Sequence, residues 1–192
     1  MWVLVDVSGS MRSPITGHRA GATSVARCVD VAALFGATIS RRNPGTEVVC
    51  FDDRPRAMTI ERRDSVMTNA QVLAGVGGGG TNTSAALAHL NAVQAKADLV
   101  VYVSDNESWM DTVKVPRHTA TLTEWNRLKA RNPGAKLVCI DLCPNTHTQA
   151  AERPDILNIG GFSDRVFEVI ASFVSGGLSP RHWVGVIDAI PI

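Results

Sequence analysis

The sequence predicts an α/β protein: a Rossmann-like open, mostly parallel sheet with one antiparallel edge strand and helices on both faces. Three observations carry that expectation. Short apolar runs, "WVLV" at 2–5, "LVVYV" at 99–103 and "KLVCI" at 136–140, read as strands, and the middle one is apolar without alternation, as a strand covered on both faces requires. Between the runs lie segments whose apolar residues recur three or four apart, the period of a helix with one buried face. Strand and helix alternate along most of the chain, the pattern that builds a parallel sheet through helical crossovers.

Taken in order, the first strand starts at residue 2 and ends at an acid, Asp6. Such a start, with no linker before it, reads as a segment of a longer protein. A polar, Gly-containing stretch from Arg12 to Gly21 follows. Val25, Cys28, Val29, Ala32, Phe35 and Ile39 then predict an amphipathic helix that ends before Asn43-Pro44-Gly45. "EVVCF" at 47–51 and "AMTI" at 57–60, joined by Asp52 to Pro55, predict a hairpin and hence the antiparallel strand. A weaker helix over Ser65 to Leu73 leads into "GVGGGGTNT", and a stronger one carries Leu87, Leu90 and Val93. "LVVYVS" ends at a second acid, Asp105. A helix near Thr123 to Arg131, the strand at 136–140, a short strand "ILNI" at 156–159 and a helix with Val166, Val169, Ile170 and Phe173 complete the alternation. Residues 1–175 form one domain in this reading. Residues 176–192 form an apolar C-terminal tail with two prolines and no clean period.

Bulk composition narrows the function classes. In 192 residues, 19 Lys and Arg balance 18 Asp and Glu, so the chain lacks the strong positive field of a nonspecific nucleic-acid binder. No stretch approaches the roughly 20 apolar residues of a membrane span, and no charged-then-apolar leader precedes the first strand. The expectation is a cytoplasmic monomer without a membrane partner. Cys28, Cys50, Cys139 and Cys143 fall in or beside apolar runs and read as thiols that behave as small hydrophobes.

In an open α/β sheet, ligands gather outside the carboxyl ends of the strands. Asp6, Ser8 and Ser10 follow the first strand, Thr81 follows the glycine run, and Asp105 follows "LVVYVS". Singly, each has an ordinary structural role: a turn acid, a helix cap, a loop acid. Together they supply two carboxylates and three hydroxyls at one edge. Hard divalent cations take oxygen ligands, and two acids balance the double charge, so the set suits Mg²⁺, or Mn²⁺ or Ca²⁺, better than Zn²⁺.

The pattern D-x-S-x-S, a distant T and a further D is similar to the metal-ion-dependent adhesion site of von Willebrand factor A domains. Asp6, Ser8, Ser10, Thr81 and Asp105 fill its five positions, with Thr81 preferred to Thr83. That resemblance implies direct coordination by Ser8 and Ser10, contacts from Asp6 and Asp105 often relayed by water, and an open position for a ligand oxygen. "DVSGSM", "GGGGTNTSAAL", "VVYVSDNESW", "CIDLCPNTHTQA" and "ILNIGGFSDRVFEVIASF" resemble, over nearly the whole chain, the A domain of Ro autoantigen (TROVE) proteins, which bind small noncoding RNAs. In that family the A domain accompanies a ring of helical repeats that provides most of the RNA-binding surface. No segment here resembles the ring.

Competing signals are weaker. Gly75, Gly77 and Gly80 fit G-x-G-x-x-G, but the acid that should follow, Asp98, precedes its strand rather than ending it. A phosphotransferase with an Asp nucleophile needs a second acid where Ser8 stands. Cys139, Cys143 and His147 are spaced four apart, yet extended geometry carries Cys143 on the order of 13 Å from Cys139, too far for one zinc ion. Trp109 reads as a packing residue or a rim contact. Arg12, His18 and Arg19 read as a solvated loop or as positive charge beside an incoming anion.

The sequence therefore predicts a non-catalytic, cation-dependent binding module of a Ro-type small-RNA-binding protein. Its partners are the helical-repeat ring, small noncoding RNA through the parent protein, and a carboxylate or phosphate at the metal. The alternative is a protein-docking or adhesion A domain that binds an acidic partner residue through Mg²⁺ without RNA.

Overall fold

The computed structural model describes residues 1–17, 24–56, 58–105, 120–143 and 153–177. Two compact units divide the chain, Met1–Gly161 and Phe162–Ile192. The first holds a six-stranded sheet made of β1 (Trp2–Asp6), β2 (Glu47–Phe51), β3 (Pro55–Arg56), β4 (Leu99–Ser104), β5 (Lys136–Asp141) and β6 (Ile156–Gly160), in the order β3-β2-β1-β4-β5-β6. All neighbours pair parallel except β2 and β3, where Cys50 faces Arg56 and Phe51 faces Pro55. The antiparallel edge is therefore two residues earlier than the "AMTI" run. Residues 58–60 are not in a strand, and residue 57 lies outside the described residues.

Alternation of side chains along each strand sorts the apolar residues onto two faces. One face receives α1 (Cys28–Arg42), which packs against β1 and also contacts α2 (Val66–Ala74). Gly36 lets α1 approach closely: a Cβ there would meet Val5 Cγ2 at 2.8 Å, with Leu73 of α2 and Val48 of β2 next nearest. The other face receives α3 (Thr83–Ala92) and α4 (Ala120–Arg131) over Leu4, Val49, Phe51, Val100, Tyr102, Leu137 and Cys139. Phe51 and Tyr102 meet edge to face at 5.0 Å, a favoured aromatic geometry. Trp125 of α4 is fully buried there, and its indole N–H donates to Asp155 Oδ2 at 2.9 Å. β4, buried at all six positions, is the strand covered on both faces that its unbroken apolar run requires.

Helix boundaries follow local chemistry. Asp30 sits in the first turn of α1 and accepts from the Arg27 backbone N–H (2.9 Å) and side chain, fixing the helix start three residues after Val25, which is 97% exposed. Ser65 caps α2 by accepting from the Thr68 N–H at 3.0 Å. α3 ends at Ala92, so Val93 is its half-exposed C-cap and not a core residue. The described part of α4 opens at Ala120, ahead of Thr123. In the second unit, α5 (Arg165–Val174) buries Val166, Ile170 and Phe173, whereas Val169 is 37% exposed. Tail residues 178–192 lie outside the described residues. Among the described residues no helix is long and apolar enough to cross a membrane.

The buried indole sets a stability test. Trp125→Ala should lower stability by about 3–5 kcal/mol, because it removes the largest fully buried side chain. Trp125→Phe should cost roughly 1–3 kcal/mol, because it keeps most of the packing but leaves Asp155 short of one donor. Urea unfolding followed by circular dichroism reads both.

Candidate functional site

The topology fixes where a site can form. β1 runs to β2 on one side through α1, while the strand on its other side, β4, is reached later in the chain. The carboxyl ends of β1 and β4 thus flank the switch point of the sheet, where α/β proteins bind ligands. Asp6 is the last residue of β1, and Asp105 follows the last residue of β4. Both side chains are buried, Asp6 completely and Asp105 at 4% exposure.

Asp6 is held at both oxygens. Oδ1 accepts the Ser8 backbone N–H at 2.9 Å, and Oδ2 accepts the Ser104 hydroxyl at 2.6 Å. Ser8 and Ser10 hydroxyls lie 3.2 Å apart, Ser10 opening a 3₁₀ turn to Arg12. Burial pushes the Asp6 carboxyl up to about 6. Hydrogen bonds from Ser104 and Ser8 pull the other way, and the charge of Asp105 adds to the rise. Nearby, burial and then Asp6 push the Cys50 thiol up to about 12.

The glycine run delivers Thr81. The Gly78 N–H donates to the Val7 carbonyl and the Gly9 N–H to the Gly79 carbonyl, both at 2.8 Å, which stitches the run to the turn after β1. Gly77 adopts φ +80°, and a Cβ there would collide with the Val7 carbonyl, so the close approach requires glycine. Thr81 follows, 1% exposed. The helix N-cap falls to Asn82, and the Thr83 hydroxyl lies 2.8 Å from that of Thr121 on α4. The structure thus joins Asp6, Ser8 and Ser10 by direct or shared hydrogen bonds, sets Asp105 where its charge reaches Asp6, and bonds the Thr81 segment to the Ser8 turn.

Three residues at this edge escaped the sequence reading. Ser104, the last residue of β4, donates to Asp6 across the sheet. Asp52 and Arg56 form the second feature. Asp52, completely buried at the end of β2, accepts from Arg56 Nε (2.7 Å) and Nη2 (2.6 Å) and from the Gly79 N–H (3.1 Å). Burial pushes this carboxyl up, but the Arg56 bonds and the backbone donors outweigh it and hold Asp52 down at about 2. A hairpin ion pair thereby anchors the glycine run. Only the consecutive acids Asp52 and Asp53 and the nearby Arg56 could have signalled it.

Other expected features separate from this edge. The glycine run lies between α2 and α3 and not after the first strand, so it is no dinucleotide turn. Cys139 is inside β5 with its thiol pushed up to about 12 by burial and then Asp141. Of its partners in the zinc reading, Cys143 instead meets Cys28; His147 lies outside the described residues, as do His18, Arg19 and Trp109. Among the described residues no group of three or more His, Cys, Asp or Glu comes together. The edge holds two acids among hydroxyls, a donor set for hard cations and not for zinc.

Arg56→Ala should lower stability at neutral pH, because it leaves the buried Asp52 carboxylate without its paired charge. The Asp52 value in the folded chain lies below the unfolded one of about 3.9, so its contribution is complete above that pH and fades as pH falls through about 2. Thermal melts should therefore show the variant's deficit shrinking from pH 5 toward pH 2.

A model of the Ro60 vWA domain family matches residues 1–174. Among solved structures, the crystal structure of the Deinococcus radiodurans RO (RSR) protein superposes with a TM-score of 0.71 at 23% sequence identity. The match covers 92% of this chain and 34% of that one, so this chain spans about a third of that protein. At this identity the likeness bears on fold alone. No curated protein matches. With the sheet order, the paired strand-end acids and the match over residues 1–174 together, this chain belongs to the Ro60 vWA domain family, whose domains are non-catalytic binding modules.

Proposed function

We propose that Asp6, Ser8, Ser10, Thr81 and Asp105 hold a divalent cation, Mg²⁺ first and Mn²⁺ or Ca²⁺ in its place, and that the domain uses it to bind an acidic oxygen of a partner without turnover. One observation supports this above the others. Two buried carboxylates stand at neighbouring strand ends beside the Ser8, Ser10 and Ser104 hydroxyls. A doubly charged, oxygen-preferring ion fits such a donor set. When bound, it supplies a Lewis-acidic point charge that a carboxylate or phosphate oxygen completes. The chain's own groups do the positioning: the Ser8 N–H and the Ser104 hydroxyl fix both oxygens of Asp6, and the stitched glycine run fixes the height of Thr81.

In the same reading the domain acts beside a helical-repeat ring in a cytoplasmic Ro-type ribonucleoprotein, the ring carrying the small noncoding RNA. The Ro60 vWA family match over residues 1–174 supports the Ro-type setting. Gel shifts with a structured small RNA should show binding by the domain joined to its ring and none by the domain alone at physiological salt.

The cation reading has a direct test. Asp6→Asn keeps the side-chain shape and removes the charge. It should weaken Mn²⁺ or Mg²⁺ binding by calorimetry beyond the roughly 10- to 100-fold that loss of a supporting residue costs a metal site. Its melting temperature without metal should stay level or rise, because a buried charge is gone. Ser104→Ala should weaken binding by roughly tenfold. Equal affinity in wild type and Asp6→Asn would remove the cation from this edge.

A further inference from the structure

Cys28 and Cys143 are 115 residues apart in sequence, yet their sulfurs lie 3.5 Å apart. Neither belongs to the oxygen set described above. Both are thiols in the structure, Cys28 completely buried as the first residue of α1 and Cys143 half-buried just after β5. Each is fixed by its backbone. The Cys28 N–H donates to the Ser13 carbonyl (3.0 Å), and the Cys143 N–H donates to Asp141 Oδ1 (3.1 Å). Next to Cys143, the Leu142 N–H donates to the Ser104 carbonyl at 2.9 Å. Closing the gap to a disulfide, about 2.05 Å between sulfurs, asks for a shift on the order of 1.5 Å.

We propose that Cys28 and Cys143 form an oxidation site that closes to an intramolecular disulfide when the chain meets a hydroperoxide. The two thiols are unequal in access, which sets the order of events. Cys143 is reached first: its sulfur attacks the peroxide, the O–O bond breaks, water leaves from hydrogen peroxide or an alcohol from an organic hydroperoxide, and a sulfenic acid remains. Cys28 sulfur then attacks Cys143 sulfur, the S–S bond forms, the S–O bond breaks, and the hydroxyl departs with the Cys28 proton as water. Two thiols are oxidised by two electrons while one hydroperoxide is reduced. Burial, with the hydrogen bond to Cys143 next, pushes the Cys28 thiol up, which keeps it a thiol until its neighbour is oxidised. The resulting link joins the segment after the Ser10 turn to the segment beside the end of β4.

The test uses the full chain, folded and in the absence of metal, so it is independent of the cation reading. After treatment with hydrogen peroxide, alkylation and peptide mapping should show loss of two hydrogens per chain in a Cys28–Cys143 peptide, with Cys50 and Cys139 still alkylated after unfolding. Cys28→Ala should instead accumulate a Cys143 sulfenic acid that a dimedone probe captures. Wild type whose Cys28 and Cys143 remain thiols under conditions that oxidise a Cys28→Ala chain would overturn the proposal. So would a link to any other cysteine, or Cys143 passing to sulfinic acid at the same rate with and without Cys28.

Discussion

A carboxylate buried at the end of a central strand is the constraint on which the rest of this edge depends. Asp6 sits in β1, flanked by β2 and β4, with no exposure to water. A polar group so placed is tolerated only when its hydrogen bonds are made, and a charge only when it is matched. The fold meets the first condition from two directions, the turn that follows β1 and the end of the neighbouring strand. Among the described residues no Arg or Lys bonds to Asp6. Burial, with the charge of Asp105 adding to it, raises the carboxyl to about 6, which favours the uncharged form over the ionised one.

The neighbouring acid, Asp52, shows the contrast. It is equally buried and follows the last residue of the adjacent strand, yet Arg56 and backbone donors hold its carboxyl near 2. Two carboxylates on adjoining strands thus carry opposite assignments, set by what surrounds them. Asp52 is matched within the chain and spends its bonds on fixing the glycine run through Gly79. Asp6 has no such ion pair among the described residues. The hydrophobic layers below permit this arrangement, because Leu4 and Tyr102 on one face and Val3 and Val5 on the other hold the strand ends rigidly.

Much of this was legible in the residues. The strand runs, the α/β alternation and the antiparallel edge follow from period and apolar content, and the sheet edge that carries the acids follows from the parallel topology they imply. The errors have local causes. Val25 and Val93 satisfy a helical spacing, but the Asp30 contact to Arg27 and the end of α3 at Ala92 leave both outside. "AMTI" has strand composition, whereas the tight Asp52–Arg54 turn spends the pairing on Pro55 and Arg56 first. Ser104 and Arg56 were invisible as site residues because their roles are relations across the sheet or a turn, and a single serine or arginine carries no mark of its distant partner.

The same relations disfavour catalysis at this edge. A nucleophilic carboxylate needs an oxygen directed at substrate, and both oxygens of Asp6 are engaged by donors from its own chain. The buried thiols Cys50 and Cys139 are shifted toward the unreactive protonated form. What the edge retains is fixed geometry and a set of oxygen donors. Those two properties favour holding a ligand oxygen in place over transforming it, which is the character of the family to which the chain belongs.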